Sequence, residues 1–292
     1  MKKLNRLLLG IAALAFTGGA QAADLPVKAA AKAAEVPKVS GVIGSFTGGT
    51  WVSGDVDHSS QWIYGGEARV NWWFAPNWSI QTDLEAEGTG QYQDTGDGRI
   101  MGTVGKHLTW RDPSRGALGI LGGYTMTNIL AGLGSTSRTF FGGEGQLYLG
   151  NFTLYGQGGG TWFHNSTNNE TVWDNAWFIR GVARWFITPN DKLQGEIGYA
   201  SGRDLLDGDD PNVVNWGMLY ERNKFLGTPF SAYLEYAGFR YKQYNDHITE
   251  NLVMVGMKIY FNQDTLLSND RTGATFDMPK FMRAQAWSGI GF

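Results

Sequence analysis

Cysteine is absent from the 292-residue sequence, which excludes a disulfide framework and thiol chemistry. After the first residues there is no long apolar run, and the mean hydropathy of −0.27 argues against helical membrane spans. Histidine occurs only four times, and there is no excess of positive charge, since 24 basic residues accompany 27 acidic ones. This charge balance argues against nucleic acid as a partner.

The first 22 residues have the three parts of a secretory signal peptide. Three basic residues come first, an apolar stretch at 7–16 is too short to span a bilayer, and Ala20-Gln21-Ala22 forms a small-x-small cleavage site. We predict removal of residues 1–22, which leaves 21 basic and 27 acidic residues and a net charge of −6. Residues 23–38 are small, basic and bounded by proline, and indicate a flexible periplasmic tether, with an Ala/Lys helix as the alternative.

Glycine and tryptophan are abundant, at 42 and 12 residues, and the stretch 62–87 shows how they are used. From Trp62 to Trp72 every second residue is apolar or small, and charged residues such as Glu67 and Arg69 lie between them. Ala75-Pro76-Asn77 interrupts this alternation as a tight turn would, and the alternation then resumes. The pattern predicts a hairpin with one apolar and one charged face.

About twelve alternating segments of this kind lie between Val39 and Phe261. Most reach the roughly 9–11 residues of a tilted membrane-spanning strand, and short turns alternate with longer polar loops. We predict an all-β fold, a transmembrane antiparallel up-and-down barrel of about twelve strands over residues 39–261, with ten or fourteen strands as alternatives. Residues 262–292 would form a tail that either adds a strand or folds into the lumen as a plug.

The stretch Ala22-Ala23-Asp24-Leu25-Pro26-Val27-Lys28 resembles the mature start of alphaproteobacterial outer-membrane barrel proteins, namely the small immunodominant surface barrels and the porin-like proteins. The resemblance covers only this end of the chain and implies an outer-membrane location without known catalytic residues. We expect a monomer that contacts outer-membrane lipid and lipopolysaccharide. The terminal Phe292 resembles the signal that the barrel-assembly machinery reads.

The charged strand face is the best candidate site, because in a membrane barrel it would line the lumen. Pairing the first hairpin about Pro76 places Arg69 opposite Asp83 and Glu67 opposite Glu85. The face has seven acids and five bases, and this excess would favour cations modestly if the lumen is open. Twelve strands fall between filled and open barrels, so a narrow channel and a plugged barrel are both allowed. The predicted lumen-lining residues are Glu67, Arg69, Asp83, Glu85, Glu87, Arg111, Glu144, Arg180, Arg184, Glu196, Glu235 and Lys258.

Two further groups of residues complete the predicted sites. Tryptophan marks membrane–water boundaries, and we assign Trp72, Trp73, Trp78, Trp110, Trp162 and Trp185 to them. Four acids crowd one predicted loop, but their spacing lacks the EF-hand pattern, which favours a solvated loop over a site for calcium or for bridging to lipopolysaccharide phosphate. These acids are Asp204, Asp207, Asp209 and Asp210. We expect no cofactor and no metal.

The function predicted from these features is passive: a porin-like channel for small hydrophilic solutes, or a structural protein of the envelope. The alternative is an enzyme that hydrolyses phospholipid or lipopolysaccharide through serine and histidine. His58 is next to Ser59 and His164 is close to Ser166, but neighbours in a loop seldom form a working pair. His107 lies on a polar strand face, and we predict no enzyme.

Overall fold

The computed structural model describes residues 37–54, 60–90, 99–129, 135–165, 175–202, 211–243 and 246–280. Within these ranges, twelve antiparallel strands form a closed barrel, in which each strand pairs with its neighbours in sequence and the first pairs with the last. The predicted twelve-stranded antiparallel barrel is therefore confirmed. Among the described residues, no helix has the length and apolar character needed to cross a membrane.

The elements run in chain order around the barrel. The strands are β1 (Val39–Gly54), β2 (Ser60–Ala75), β3 (Trp78–Thr89), β4 (Arg99–Asp112), β5 (Gly116–Ile129), β6 (Ser135–Leu149), β7 (Phe152–Asn165), β8 (Asn175–Thr188), β9 (Asp191–Gly202), β10 (Asn212–Arg222), β11 (Phe230–Gln243) and β12 (Asp246–Phe261). A short 3-10 helix, Phe225–Gly227, separates β10 from β11. Helix α1, Leu266–Thr272, follows β12.

Strand β8 shows how alternation produces the two surfaces of the wall. Its exposed and buried residues alternate along nearly its whole length. Trp177 and Ile179 are exposed on the outside, whereas Phe178, Arg180 and Arg184 are buried inside. Successive side chains of a strand point to opposite faces, so a period of two in the sequence becomes an outer apolar surface and an inner surface.

Short connections join the strands at one end of the barrel, here called the turn end. They include residues 76–77, 113–115, 150–151 and 189–190 between neighbouring strands. The sequence-similar turns at Pro76 and Pro189 also share a shift in strand register, between Trp73 and Ala75 and between Phe186 and Thr188. The first hairpin pairs Arg69 with Asp83 and Glu67 with Glu85, and its predicted register is confirmed.

Aromatic rings on the inner wall lie flat over glycines of the neighbouring strand. Phe46 faces Gly65 and Phe140 faces Gly123 in the strand register, and a Cβ added at either glycine would lie 2.4 Å from the ring. Glycine is required at both positions because any side chain would displace the ring. This arrangement is a recognised way of covering glycine in a sheet.

Candidate functional site: the lumen and its plug

The chain leaves the wall after β12 and turns into the lumen. Asn262 makes the turn with a positive φ of 57°, a conformation that asparagine tolerates better than most residues, and its side-chain amide donates to the carbonyl oxygen of Val39 at 2.9 Å. Thr265 and Ser268 then start α1 as a reciprocal capping box. Residues 263–280, here called the plug, continue inside the barrel as α1 and an extended segment, and they add no strand.

Helix α1 is fixed at the turn end by backbone and side-chain contacts. The amide of Leu267 donates to the carbonyl oxygen of Pro189 at 3.1 Å. The guanidinium of Arg271 donates to the carbonyl oxygen of Gly150 at 2.8 Å and lies 4.1 Å from the centre of the Tyr148 ring. The helix therefore covers the turn end of the lumen on the side of β6 to β9.

The assignment of Trp73 to the membrane–water boundary is wrong. Its side chain is only 7 % exposed, and its indole Nε1 donates to the carbonyl oxygen of Thr272 at 2.9 Å. The reason is strand alternation, because Trp73 shares the inward parity of Arg69 and Asn71 on β2. A tryptophan that was expected to meet lipid instead holds the end of α1.

The other five predicted boundary tryptophans are exposed on the outer surface. Four lie near the turn end: Trp72, Trp78, Trp110 and Trp185. Trp162 lies near the opposite end of β7, and the exposed Trp51, Trp62 and Trp177 lie at the same end of their strands. Two belts of tryptophan thus bound the apolar outer surface, as expected at the two membrane–water interfaces.

Phe276 is the most enclosed part of the plug, with 0 % exposure. Its backbone is paired by the side chain of Gln81, which donates to the carbonyl oxygen at 2.8 Å and accepts from the amide at 3.2 Å. The ring stacks on His107 with centroids 5.6 Å apart, and the guanidinium of Arg111 lies 4.9 Å from its centre. A glutamine side chain thus substitutes for a neighbouring strand and fixes this residue against β3 and β4.

Asp277 is the electrostatic centre of the plug. Its carboxylate accepts from Arg69 at 2.7 Å, from Arg184 at 2.9 Å and from Arg180 at 3.4 Å. Burial raises the pKa of this carboxyl, but Arg184, Arg69 and Arg180 outweigh burial and hold the pKa well below its ordinary value. Because Asp277 stays ionised, three inward arginines of β2 and β8 share one anion that the wall itself does not provide.

This pKa shift makes a prediction for acid solutions. A carboxyl whose pKa is depressed on docking stabilises the docked state above its ordinary pKa of about 4, and the stabilisation disappears only as the pH falls through the depressed value. We expect hydrogen–deuterium exchange of the peptide containing residues 273–280, corrected for the intrinsic rate, to show constant protection from pH 7 to about pH 4. Loss of protection between pH 6 and pH 5 would contradict this role of Asp277.

His107 lies between two carboxylates in the inner wall. Its Nδ1 is 2.7 Å from Oε1 of Glu144, and its Nε2 is 3.4 Å from Oδ2 of Asp83. The hydroxyl of Tyr155 donates to the second oxygen of Glu144 at 2.8 Å. Both ring nitrogens therefore face acids rather than a hydroxyl nucleophile, which is not the arrangement of a serine hydrolase. His164, by contrast, is exposed, with its Nε2 3.1 Å from the hydroxyl of Thr139.

The twelve predicted lumen residues lie on the inward-facing positions of their strands. The structure joins several of them in ion pairs: Lys258 with Glu67 at 2.8 Å and Arg180 with Glu196 at 2.6 Å, while Lys280 of the plug pairs with Glu235. Asp204, Asp207, Asp209 and Asp210, and also His58, lie outside the described residues. Within the described ranges, no group of three or more His, Asp or Glu side chains is arranged to hold a metal ion.

The sequence analysis missed polar residues of two kinds. Tyr155, Lys192 and Glu221 share the inward parity of the predicted residues, so the alternation could have identified them. Asp277 and Lys280 belong to the tail, where no periodicity indicates which residues face the wall. The positions in the tail could only be found from the fold.

The inner face also departs from the expected alternation of apolar outside and polar inside. In the half of the barrel away from the turn end, large apolar side chains point inward and are buried: Phe46, Ile63, Met101, Phe140, Phe178, Phe239, Leu252 and Met254. Apolar contacts are what a dry, packed interior requires, whereas a water-filled lumen would favour polar ones. Ion pairs therefore dominate the turn-end half of the lumen, and apolar packing dominates the other half.

A cavity of about 80 Å³ remains between the plug and one side of the wall. Its lining begins at Lys192 and Tyr260, near the turn end of β9 and β12, and reaches Phe46 and Met101 in the apolar half. Among the described residues that line this cavity, here called the crevice, none belongs to β5, β6 or β7. The plug therefore lies against one side of the barrel and faces a gap on the other.

Comparison with known proteins finds no matching protein-family model and no matching curated protein. Among solved structures, an outer-membrane channel from Pseudomonas putida F1 is similar, with 11 % identity over 77 % of this chain and 96 % of that chain and a TM-score of 0.58. The translocator domain of the autotransporter NalP from Neisseria meningitidis matches 87 % of this chain and 94 % of its own, with 12 % identity and a TM-score of 0.46. The β-domain of the Bordetella autotransporter BrkA matches 77 % and 100 %, with 15 % identity and a TM-score of 0.47.

At these low identities the similarity concerns the fold. Of the three structures, the channel from Pseudomonas putida F1, with its TM-score of 0.58, supports this conclusion. The fold is that of bacterial outer-membrane barrels. The apolar outer surface and its two tryptophan belts match the requirements of such a membrane. The protein is therefore an outer-membrane β-barrel, located in a bacterial outer membrane.

Proposed function

We propose that this protein is a passive, monomeric outer-membrane channel for small hydrophilic solutes and that its own plug restricts the lumen. The observation that supports this proposal is how the plug is held. Its contacts with the wall are mainly ion pairs and hydrogen bonds, centred on Asp277 and its three arginines. Water can replace contacts of this kind, so a polar plug can loosen without exposing a large apolar surface.

Two other functions stay open as outcomes of the test. A structural role in the envelope is favoured by the apolar packing in the half of the lumen away from the turn end. Such packing would stabilise the barrel whether or not solutes pass through it. A lipid-modifying enzyme was the alternative from the sequence, and the two carboxylates beside His107 count against that histidine as a catalytic base. We propose that the protein is not an enzyme.

The partners follow from the same proposal. The outer surface fits outer-membrane lipid and lipopolysaccharide, and assembly by the barrel-assembly machinery would be expected of any barrel in this membrane. The resemblance of residues 22–28 supports an alphaproteobacterial origin within the immunodominant and porin-like groups.

The proposal is tested by solute uptake into liposomes that contain the purified protein. We expect small sugars to enter slowly, because the crevice is narrow, and the rate to fall as the sugar becomes larger. The same preparation, incubated with phospholipid and lipopolysaccharide, should show no turnover. Lipid hydrolysis that is lost in a His107→Ala or His164→Ala variant would overturn the proposal in favour of an enzyme, and impermeable liposomes would favour the structural role.

A further inference from the structure

The plug makes different contacts on its two sides. On the side of β2 to β8, its backbone is bonded directly. Arg69 donates to the carbonyl oxygen of Phe276 at 3.0 Å, which also pairs with Gln81, and Arg111 donates to that of Gly273 at 2.9 Å. Gln157 donates to the carbonyl oxygen of Asp277. Phe276 also packs against Ala117, Tyr155 and Val182 in an apolar cluster. Separating these groups would leave buried backbone atoms without partners, which is costly.

On the side of β9 to β12, the contacts are made by the ends of long side chains. Lys280 pairs with Glu235, and the wall cations Lys258 and Lys192 pair with other wall carboxylates, Glu67 and Glu221, each at 2.8 Å. A lysine reaches its carboxylate through a flexible four-carbon stem, so it can change position within the crevice without a movement of the backbone. The crevice lies on this side, so the plug is fixed to one wall and only loosely held at the other.

We infer that solutes pass along the crevice, between the plug and the wall formed by β9 to β12 with β1, while the plug stays attached to the wall formed by β2 to β8. Residues of β2, β3, β4 and β8 border the crevice at its two edges: Glu67, Arg69, Glu85, Met101, Thr103, Arg184 and Phe186. This route deepens the proposed channel function and rests on it. The crevice follows the direction of the barrel axis, from Tyr260 and Lys192 at the turn end to Phe46 and Met101. On this route, permeation does not require ejection of the plug.

The charges of the crevice define the class of solute. Its lining holds five carboxylates, Glu67, Glu85, Glu235, Asp270 and Asp277, and five cationic groups, Arg69, Arg184, Lys192, Lys258 and Lys280. The wall residues predicted from the sequence have an excess of acids, but the plug and Lys192 change the balance along this path. The crevice therefore suits small polar solutes without net charge, and it discriminates little between cations and anions.

The absence of native cysteine allows a direct test of the route. Single substitutions Val42→Cys and Leu219→Cys place a thiol in the crevice, and Ala117→Cys and Val182→Cys place one on the attached side. The side chains at all four positions are buried, so the two pairs of variants are matched in solvent exposure. Each full-length variant is recorded in planar bilayers while a small cationic methanethiosulfonate reagent is added, and heat-modifiable gel mobility shows which variants are folded.

We expect the reagent to reduce the conductance of the two crevice variants at least severalfold and to leave the two others unchanged. The reversal potential of the unmodified protein in a salt gradient should lie near zero. Block through Ala117→Cys or Val182→Cys, equal block in both pairs, or no block in either pair would overturn the route. If neither the full-length protein nor a form lacking residues 263–292 ever conducts, the proposed channel function itself fails. This outcome differs from a wrong route, in which the protein conducts but the pattern of block among the four variants is not the expected one. If one variant of a pair does not fold, the other still decides.

Discussion

Removal of residues 263–292 is expected to raise the single-channel conductance severalfold and to turn brief, small openings into a steady open level. The wall does not need the plug for closure, because β1 pairs with β12 along fourteen residue pairs. Without the plug, the arginines and carboxylates of the turn-end half would face water, where ionised groups are well solvated. Planar-bilayer recording of the purified, truncated protein measures the effect.

A point variant provides a matched control for this truncation. Phe276→Ala removes the ring that packs against His107 and Tyr155 but leaves the length of the chain unchanged. We expect an intermediate increase in open time, because the loss of a buried phenylalanine typically costs about 3–5 kcal/mol. Phe225→Ala, in the exposed connection between β10 and β11, should behave like the unmodified protein. A folded truncated barrel with unchanged conductance would show that the plug does not limit permeation.

Replacement of Asp277 by asparagine is expected to weaken docking of the plug by about 3 kcal/mol, the lower end of the range for breaking a buried ion pair, because the arginines lose this carboxylate but keep Glu67, Glu196 and Asp270 as partners. The arginines concerned are Arg69, Arg180 and Arg184, and each approaches this single carboxylate. A change of about 3 kcal/mol lowers the docking equilibrium roughly a hundredfold. Tryptic cleavage after Arg271 in the folded barrel, followed by mass spectrometry, reports how often the plug is released.

Asp264→Asn is the matched control, because Asp264 is exposed at the start of the tail. Within the part of the chain that the structure describes, it is bonded through its carbonyl oxygen, at 3.4 Å from Asn223 Nδ2, and not through its carboxylate. Its cleavage rate should equal that of the unmodified protein, whereas Asp277→Asn should be cleaved much faster. Asp277→Glu, which keeps the charge, should restore part of the protection. Equal resistance of Asp277→Asn and Asp264→Asn would show that the plug is held by its apolar and backbone contacts instead.

The role of the plug also changes how the inner charges are understood. In the sequence, Glu67 and Glu85 are opposed like charges that require a cation between them. In the structure, Glu67 is paired with both Arg69 and Lys258. Arg184, predicted from the sequence as a lumen-lining residue, binds Asp270 and Asp277 of the plug. The charges of the wall and plug form one network, so a substitution in either should affect both stability and permeation.

Strand alternation determined most of the wall. A strand has only two faces, so parity alone assigns residues such as Arg69 and Arg184 to the inside and Trp72 and Trp185 to the outside. The same rule excludes Trp73 from the boundary to which it was assigned, because its position has the opposite parity to that of Trp72. Strand number and hairpin register follow from the same local pattern, because each turn joins neighbours in sequence.

The tertiary structure alone decided what fills the barrel. The tail after Phe261 has no period of two or 3.6 that spans its length, so its sequence does not show which face it presents or to what. Asp277 meets Arg69 and Arg184 across about two hundred and about ninety residues of chain, respectively. Pairs this distant in sequence are created by closure of the sheet, which brings β2 and β8 around a common axis. The sequence by itself thus determined a membrane barrel with a charged inner face. The three-dimensional closure decided that residues 263–280 occupy the lumen, because it brings the inward arginines of β2 and β8 close enough to share the carboxylate of Asp277.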